Sequence, residues 1–179
     1  GNAVLLSKRI PIEAVSVIAS EVPGKLGLDR KTIEEARDLL YHPGIGIQKE
    51  AAIARETGGV TAMHDPTEGG LATGLKELAL AAGCGIEVER DRIPVLELAE
   101  KILPRFSIDP LGTLASGSLV VCCREESAEA ILAAWRENGI EGSLIGRITP
   151  GPEMILVENG TRRPLPEFPA DEIVKIFRS

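Results

Sequence analysis

The chain has 179 residues, 44% of them apolar and 26% charged, a composition typical of one globular domain rather than of a disordered chain. The formal net charge of −7 and the isolation of the basic pairs at 8–9 and 162–163 disfavour nucleic-acid binding. Because no apolar run reaches membrane-spanning length and no export leader begins the chain, we expect a cytoplasmic protein without a membrane or nucleic-acid partner.

The first third of the chain predicts one strand followed by three helices. Thr32 and Glu35 have the spacing of a capping box at the start of the second helix. The first helix is apolar nearly all round and needs cover, so we expect the isolated chain to self-associate through residues 12–19. The predicted elements are a strand over 3–7 and helices over 12–21, about 32–40 and about 46–57.

The remaining elements alternate between strands and helices. They are strands over 60–64, 86–89, 118–123, 144–148 and 154–157, and helices over 70–82, about 95–103, 127–138 and 171–177. Residues 60–148 therefore read β-α-β, an insertion, then β-α-β, which is the order of a split, ferredoxin-like unit. We predict the α+β class, with one mixed sheet and helices on one face.

Three cysteines, Cys84, Cys122 and Cys123, form an odd set without the CxxC spacing of a metal site. We therefore interpret them as reduced structural thiols. Because neighbouring residues of a strand point to opposite faces, we expect at most one of Cys122 and Cys123 in the core and the other exposed or at a layer interface.

The stretch Asp65-Pro-Thr-Glu-Gly-Gly70 lies between a predicted strand and a predicted helix. Two interpretations remain open from the spacing. Asp65 or Thr67 caps the helix, and Gly69 and Gly70 make the bend. Alternatively, the helix start faces a phosphate group while Asp65 holds a divalent metal ion. We interpret the neighbouring His64 as structural.

Five stretches carry a resemblance to a known family: MHDPTEGGLATGLKELA (63–79), GNAVLLSK (1–8), GIQKEA (46–51), DPLGTLASGSLVV (109–121) and LIGRIT (144–149). They resemble the C-terminal domains of the aminoimidazole-ribonucleotide synthase superfamily, most closely its hydrogenase-maturation branch. The first residue, a glycine, followed at once by a strand, also indicates a piece of a longer protein. We expect residues 1–179 to be one domain, the C-terminal half of a two-domain protein.

The resemblance implies a homodimeric, ATP-dependent enzyme with ATP and Mg²⁺ in a cleft between its two domains. It implies phosphoryl transfer or dehydration, with most metal-binding acids on the N-terminal domain that is missing here. By the same resemblance, Asp65 joins the Mg²⁺ and phosphate cluster, and Thr67, Gly69 and Gly70 line the cleft through hydroxyl and backbone contacts. We expect this chain alone to be inactive.

Two departures from the family pattern limit this carry-over. The turn after the first strand, SKRIPIEA, lacks the usual glycines, and no cysteine follows Cys123 near the end of the chain. The modified C-terminal cysteine of the hydrogenase-maturation enzymes therefore has no counterpart. The alternative function is a noncatalytic module that keeps the fold and binds a partner or dimerises.

Overall fold

The computed structural model describes residues 1–178 and contains a seven-stranded mixed sheet in the order β2-β4-β1-β5-β3-β6-β7. All neighbouring strands are antiparallel except β3 and β6. The strands are β1 Ala3–Ser7, β2 Val60–His64, β3 Gly85–Glu89, β4 Val120–Cys123, β5 Gly142–Thr149, β6 Met154–Glu158 and β7 Thr161–Pro164. The α+β class and the mixed sheet are confirmed.

Six α-helices accompany the sheet within residues 1–178, and none of them has the length and apolar character of a transmembrane span. Asp29, not Thr32, caps α2, because its carboxylate accepts from the Thr32 backbone N–H; the predicted capping box is wrong. The closing element is a 3₁₀-helix at Glu172–Phe177. The helices are α1 Ile12–Glu21, α2 Arg30–Asp38, α3 Gln48–Thr57, α4 Gly70–Ala82, α5 Glu97–Ile102 and α6 Ala128–Glu137.

Helices cover both faces of the sheet, so the predicted placement on one face is wrong. Leu71 and Leu75 of α4 pack in one cluster with the even-numbered residues of β1. Trp135 of α6 packs in another cluster with the odd-numbered residues of β1. Since successive residues of a strand point to opposite faces, the sheet lies between two helical layers.

The direction of the two β-α-β units explains this arrangement. Both the β2-α4-β3 and the β4-α6-β5 units exist as predicted, and both cross the sheet in the same lateral direction. Their first strands, β2 and β4, are antiparallel. Such β-α-β crossovers are right-handed. The two units begin on strands of opposite direction and cross the sheet toward the same side, so their helices lie on opposite faces. In addition, β1 separates β4 from β5, so the four strands are not contiguous.

Helix α1 is covered within the chain itself. Its residues Ile12, Val15 and Ile18 are fully buried and pack in a third cluster with side chains of α2, α5 and the final 3₁₀-helix. The prediction that α1 needs cover from another molecule is therefore wrong. The reason for expecting self-association through this helix is lost with it.

Cys122 and Cys123 point to opposite faces of the sheet, as expected, but both are buried. Because both faces are covered, the expectation that only one lies in the core is wrong. Burial raises the pKa of the Cys122 thiol to about 11, which keeps it protonated at neutral pH.

The basic pair at 162–163 belongs to β7 rather than to a loop. Arg162 and Arg147 both form ion pairs with Glu87, whose side chain is 11% exposed. This arrangement connects β3, β5 and β7 on the part of the sheet that α6 does not cover.

Candidate functional site

The candidate site is the turn of residues 65–69, which connects the edge strand β2 to α4. The turn ends with Gly69 and α4 begins with Gly70, and both glycines have positive φ, 75° and 68°. A Cβ atom on Gly70 would lie 2.5 Å from the carbonyl oxygen of Leu111 and 2.7 Å from the Thr113 backbone nitrogen. Glycine is therefore required here, because the start of α4 lies directly against the backbone of residues 111–113.

Asp65 and Thr67 lie on the open side of this turn. Both residues are exposed, and neither side chain has a hydrogen-bond partner within residues 1–178. Partial desolvation raises the pKa of the Asp65 carboxyl, and the charge of Glu13 acts in the same direction. The charges of His64 and Lys8 oppose that rise in the pKa.

Neither Asp65 nor Thr67 caps α4, so the capping interpretation of these two side chains is wrong. The N-cap residue is Gly69, and no side chain of the turn accepts from the first amides of the helix. The Gly69 N–H instead donates to Oδ2 of Asp171 at 2.8 Å. A carboxylate from the distant C-terminal segment therefore binds the N-cap residue, and the Leu111 carbonyl oxygen accepts from the Ala72 N–H at 2.9 Å.

The backbone amides of both predicted phosphate-binding glycines already have acceptors. Besides the bond from Gly69 to Asp171, the Gly70 N–H donates to the Thr67 carbonyl oxygen at 3.1 Å. The same carbonyl accepts from the Ala115 N–H at 3.3 Å. An amide contact from either glycine to a phosphate would require one of these acceptors to be exchanged.

His64 connects the end of β2 to α4. Its Nε2 lies 2.7 Å from Oε2 of Glu77. Its Nδ1 is buried without a hydrogen-bond partner in the described chain and lies beside Gly74. A ring held in this way between two elements supports the structural interpretation of His64.

A cavity of about 690 Å³ opens beside the turn that follows β1. Lys8 lies at this cavity with φ of 56°, and its ammonium contacts Oε1 of Glu50 at 2.8 Å and the Gly46 carbonyl oxygen at 2.7 Å. The Lys8 and Glu50 side chains are only 11% and 4% exposed. This buried ion pair connects the turn after β1 to α3.

The turn offers an incomplete but chemically suitable set of metal ligands. Within residues 1–178, no group of three or more His, Cys, Asp or Glu side chains is arranged to hold a metal ion. Mg²⁺ prefers oxygen ligands, and proteins usually hold it through one or two carboxylates together with substrate phosphates and water. The free Asp65 carboxylate fits such a shared site, which would need its other ligands from elsewhere.

The structure is a three-layer α+β domain. Its turn carries the exposed carboxylate of Asp65 shortly before a helix that begins with glycine. Residues 1–159 match the family described as AIR synthase related protein, C-terminal domain, and the chain belongs to this family. The predicted resemblance is therefore confirmed.

Several proteins similar to this chain are HypE proteins of hydrogenase maturation. The carbamoyl dehydratase HypE of Escherichia coli is 31% identical over 135 residues, which are 71% of this chain and 40% of that protein. A crystal structure of Escherichia coli HypE matches 96% of this chain with a TM-score of 0.79 and 24% identity, and 51% of that chain is covered. A structure of the hydrogenase maturation protein HypE in complex with ATP has a TM-score of 0.71 over 97% of this chain and 52% of that chain, with 23% identity. The chain spans about half the length of these relatives.

Sequence patterns missed two features of the site. Asp171 lies 102 residues from Gly69 along the chain, and nothing in its local pattern indicates a cap for α4. The Lys8–Glu50 ion pair was also missed, although Glu50 lies within the GIQKEA stretch that carries the resemblance.

Proposed function

We propose that this chain is the C-terminal half of an ATP-dependent enzyme. In this proposal its turn at residues 65–70 forms one wall of a Mg-ATP cleft shared with an N-terminal domain. The reaction would be phosphoryl transfer or dehydration. Membership of the family supports the proposal, as does the likeness of the fold to a protein whose structure contains ATP.

The observation that carries the proposal is the pair of unpartnered oxygen groups on the turn. The Asp65 carboxylate and the Thr67 hydroxyl are exposed and make no hydrogen bond within the described chain. Neither side chain has the structural role of a helix cap, because no side-chain cap forms at the N-cap residue of α4. Two free oxygen groups beside a helix start are suited to a ligand that carries phosphate and a metal ion.

Each residue of the turn has a distinct role in this proposal. Asp65 supplies one oxygen ligand to Mg²⁺, which neutralises phosphate charge when it is bound. The Thr67 hydroxyl donates to a phosphate oxygen. Gly69 and Gly70 line the cleft and allow close approach of the ligand, and their amides bind phosphate only if Asp171 or the Thr67 carbonyl releases them.

The test is the Asp65→Asn variant in the full-length protein, with Glu68→Gln as the matched control. Glu68 is an exposed carboxylate on the same turn and also lacks an in-chain partner within residues 1–178. Losing a charge-assisted ligand should weaken Mg-ATP binding about tenfold or more, whereas the control should change it less than about twofold. Isothermal titration with and without Mg²⁺ measures this, and circular dichroism checks the fold.

Unchanged Mg-ATP affinity in Asp65→Asn would remove this residue from the site. An equal loss in both variants would indicate a general charge effect and would also contradict the proposal.

The homodimer and the second domain are parts of the same proposal, and light scattering of the full-length protein tests the oligomeric state.

A further inference from the structure

The segment of residues 165–177 crosses the start of α4 and is anchored on both sides of Asp171. The Phe168 ring lies so close to Gly112 that a Cβ atom there would come within 2.4 Å of it. The Glu172 N–H donates to the Gly112 carbonyl oxygen at 2.9 Å. Ile176 is fully buried in the cluster that contains α1 and α5.

Asp171 lies between these anchors, and its carboxylate accepts from three donors on three different segments. Oδ2 accepts from the Gly69 N–H at 2.8 Å. Oδ1 accepts from the Thr113 hydroxyl at 3.1 Å and from the Ile173 N–H at 2.9 Å. Thr113 is itself fully buried, so the carboxylate connects the turn before α4 to a buried loop.

Asp171 satisfies one of the first amides of α4, that of the N-cap residue Gly69. The amides at a helix start need acceptors, and a negative charge near them is favourable because of the helix dipole. The Ala72 N–H donates to the Leu111 carbonyl oxygen at 2.9 Å, and the Gly70 N–H donates to the Thr67 carbonyl oxygen. Asp171 is therefore the charged acceptor at this helix start, and backbone carbonyls supply the others.

We propose that Asp171 is a positioning residue for the candidate Mg-ATP site. It holds Gly69 from the buried side of the turn and thereby keeps Asp65 and Thr67 on the open side. This inference rests on the proposed function of the turn. Residue 171 lies beyond residue 159, where the match to the family ends, so this support comes from outside the matched domain.

The contacts on both sides of Asp171 indicate that it stays bound to Gly69 and is not displaced by an incoming phosphate. Releasing Gly69 by moving the segment would also break the bond from Glu172 to Gly112 and would withdraw Ile176 from the core. The Asp171 carboxylate accordingly acts behind the turn and does not compete for the ligand.

The experiment compares Asp171→Ala with Glu172→Gln in the full-length protein. Glu172 belongs to the same segment, accepts from the Asp109 N–H and pairs with Lys175, but makes no hydrogen bond to the turn. Loss of the hydrogen bond to the Gly69 N–H should weaken Mg-ATP binding about three- to tenfold in Asp171→Ala. Glu172→Gln should bind within about twofold of the wild type, although it also removes contacts of the segment. Asp171→Asn keeps one acceptor oxygen and should give an intermediate affinity.

A second measurement reads the turn directly and does not depend on ATP. Hydrogen exchange of the Gly69 amide, followed by NMR in the 179-residue chain, should be faster in Asp171→Ala and unchanged in Glu172→Gln. Wild-type exchange in Asp171→Ala would overturn the inference. So would Mg-ATP affinity that falls no further in Asp171→Ala than in Glu172→Gln.

The Asp65→Asn variant separates the two proposals. If Asp65→Asn loses Mg-ATP binding while Asp171→Ala keeps it, the positioning inference fails and the proposed function stands. If Asp65→Asn binds Mg-ATP normally, the proposed function fails, and a positioning role for Mg-ATP fails with it.

Discussion

Replacing Gly70 with alanine should destabilise the chain more than the same replacement at Gly83, the residue that ends α4. Both glycines have positive φ, 68° and 62°, so each alanine carries the left-handed cost of about 1–2 kcal/mol. At Gly70 the new Cβ would also lie 2.5 Å from the Leu111 carbonyl oxygen, whereas at Gly83 it meets nothing within 4 Å. Overpacking of this kind costs about 1–3 kcal/mol more. We therefore expect a total loss of about 2–5 kcal/mol for Gly70→Ala.

Urea unfolding followed by tryptophan fluorescence measures the difference. Trp135 is the single tryptophan and is fully buried, so its emission reports loss of the core. Alanine also lowers the entropy of the unfolded chain, but by a similar amount at both positions, and the comparison cancels this effect. Equal unfolding free energies for Gly70→Ala and Gly83→Ala would refute the close packing of α4 against residues 111–113.

Two further predictions concern buried groups away from the turn. Glu50→Gln should cost about 3–5 kcal/mol in urea unfolding, because it leaves the Lys8 ammonium buried without a counter-charge. Glu35→Gln, which removes an exposed pair with Lys31, should cost at most about 1 kcal/mol, and equal losses would contradict the burial of the Lys8 pair. Burial raises the pKa of Cys122 from 9.0 to about 11, so the stability that the neutral thiol contributes is complete below pH 9 and is lost as the pH rises toward 11. Between pH 8 and 10.5 the wild type should lose about 2 kcal/mol more than Cys122→Ala, and parallel pH profiles of unfolding would contradict this.

Local features of the fold could be predicted from the sequence. The predicted helix over 70–82 agrees with α4, because glycines stand at its start and directly after its end, and Leu71, Leu75 and Leu78 repeat with helical spacing. The predicted strand over 60–64 has the same bounds as β2. In these cases the residues that decide the structure lie within one turn or one strand of each other.

Long-range features could not be predicted, because local patterns do not contain them. The placement of α4 and α6 on opposite faces depends on the lateral order of the strands, which periodicity does not specify. The ion pair of Arg162 could not be predicted, because its partner Glu87 lies on a strand 75 residues earlier. For the turn, the sequence identified the exposed residues Asp65 and Thr67 but not the Asp171 carboxylate, which accepts from the Gly69 N–H.

The C-terminal segment means that the boundary of the family model and the boundary drawn by packing differ in this protein. The family model stops at residue 159, yet Leu165 and Ile176 belong to two different clusters of the hydrophobic core. A chain trimmed at residue 159 would expose apolar surface on both clusters and would become prone to aggregation. A study of the isolated domain should therefore retain residues 160–178.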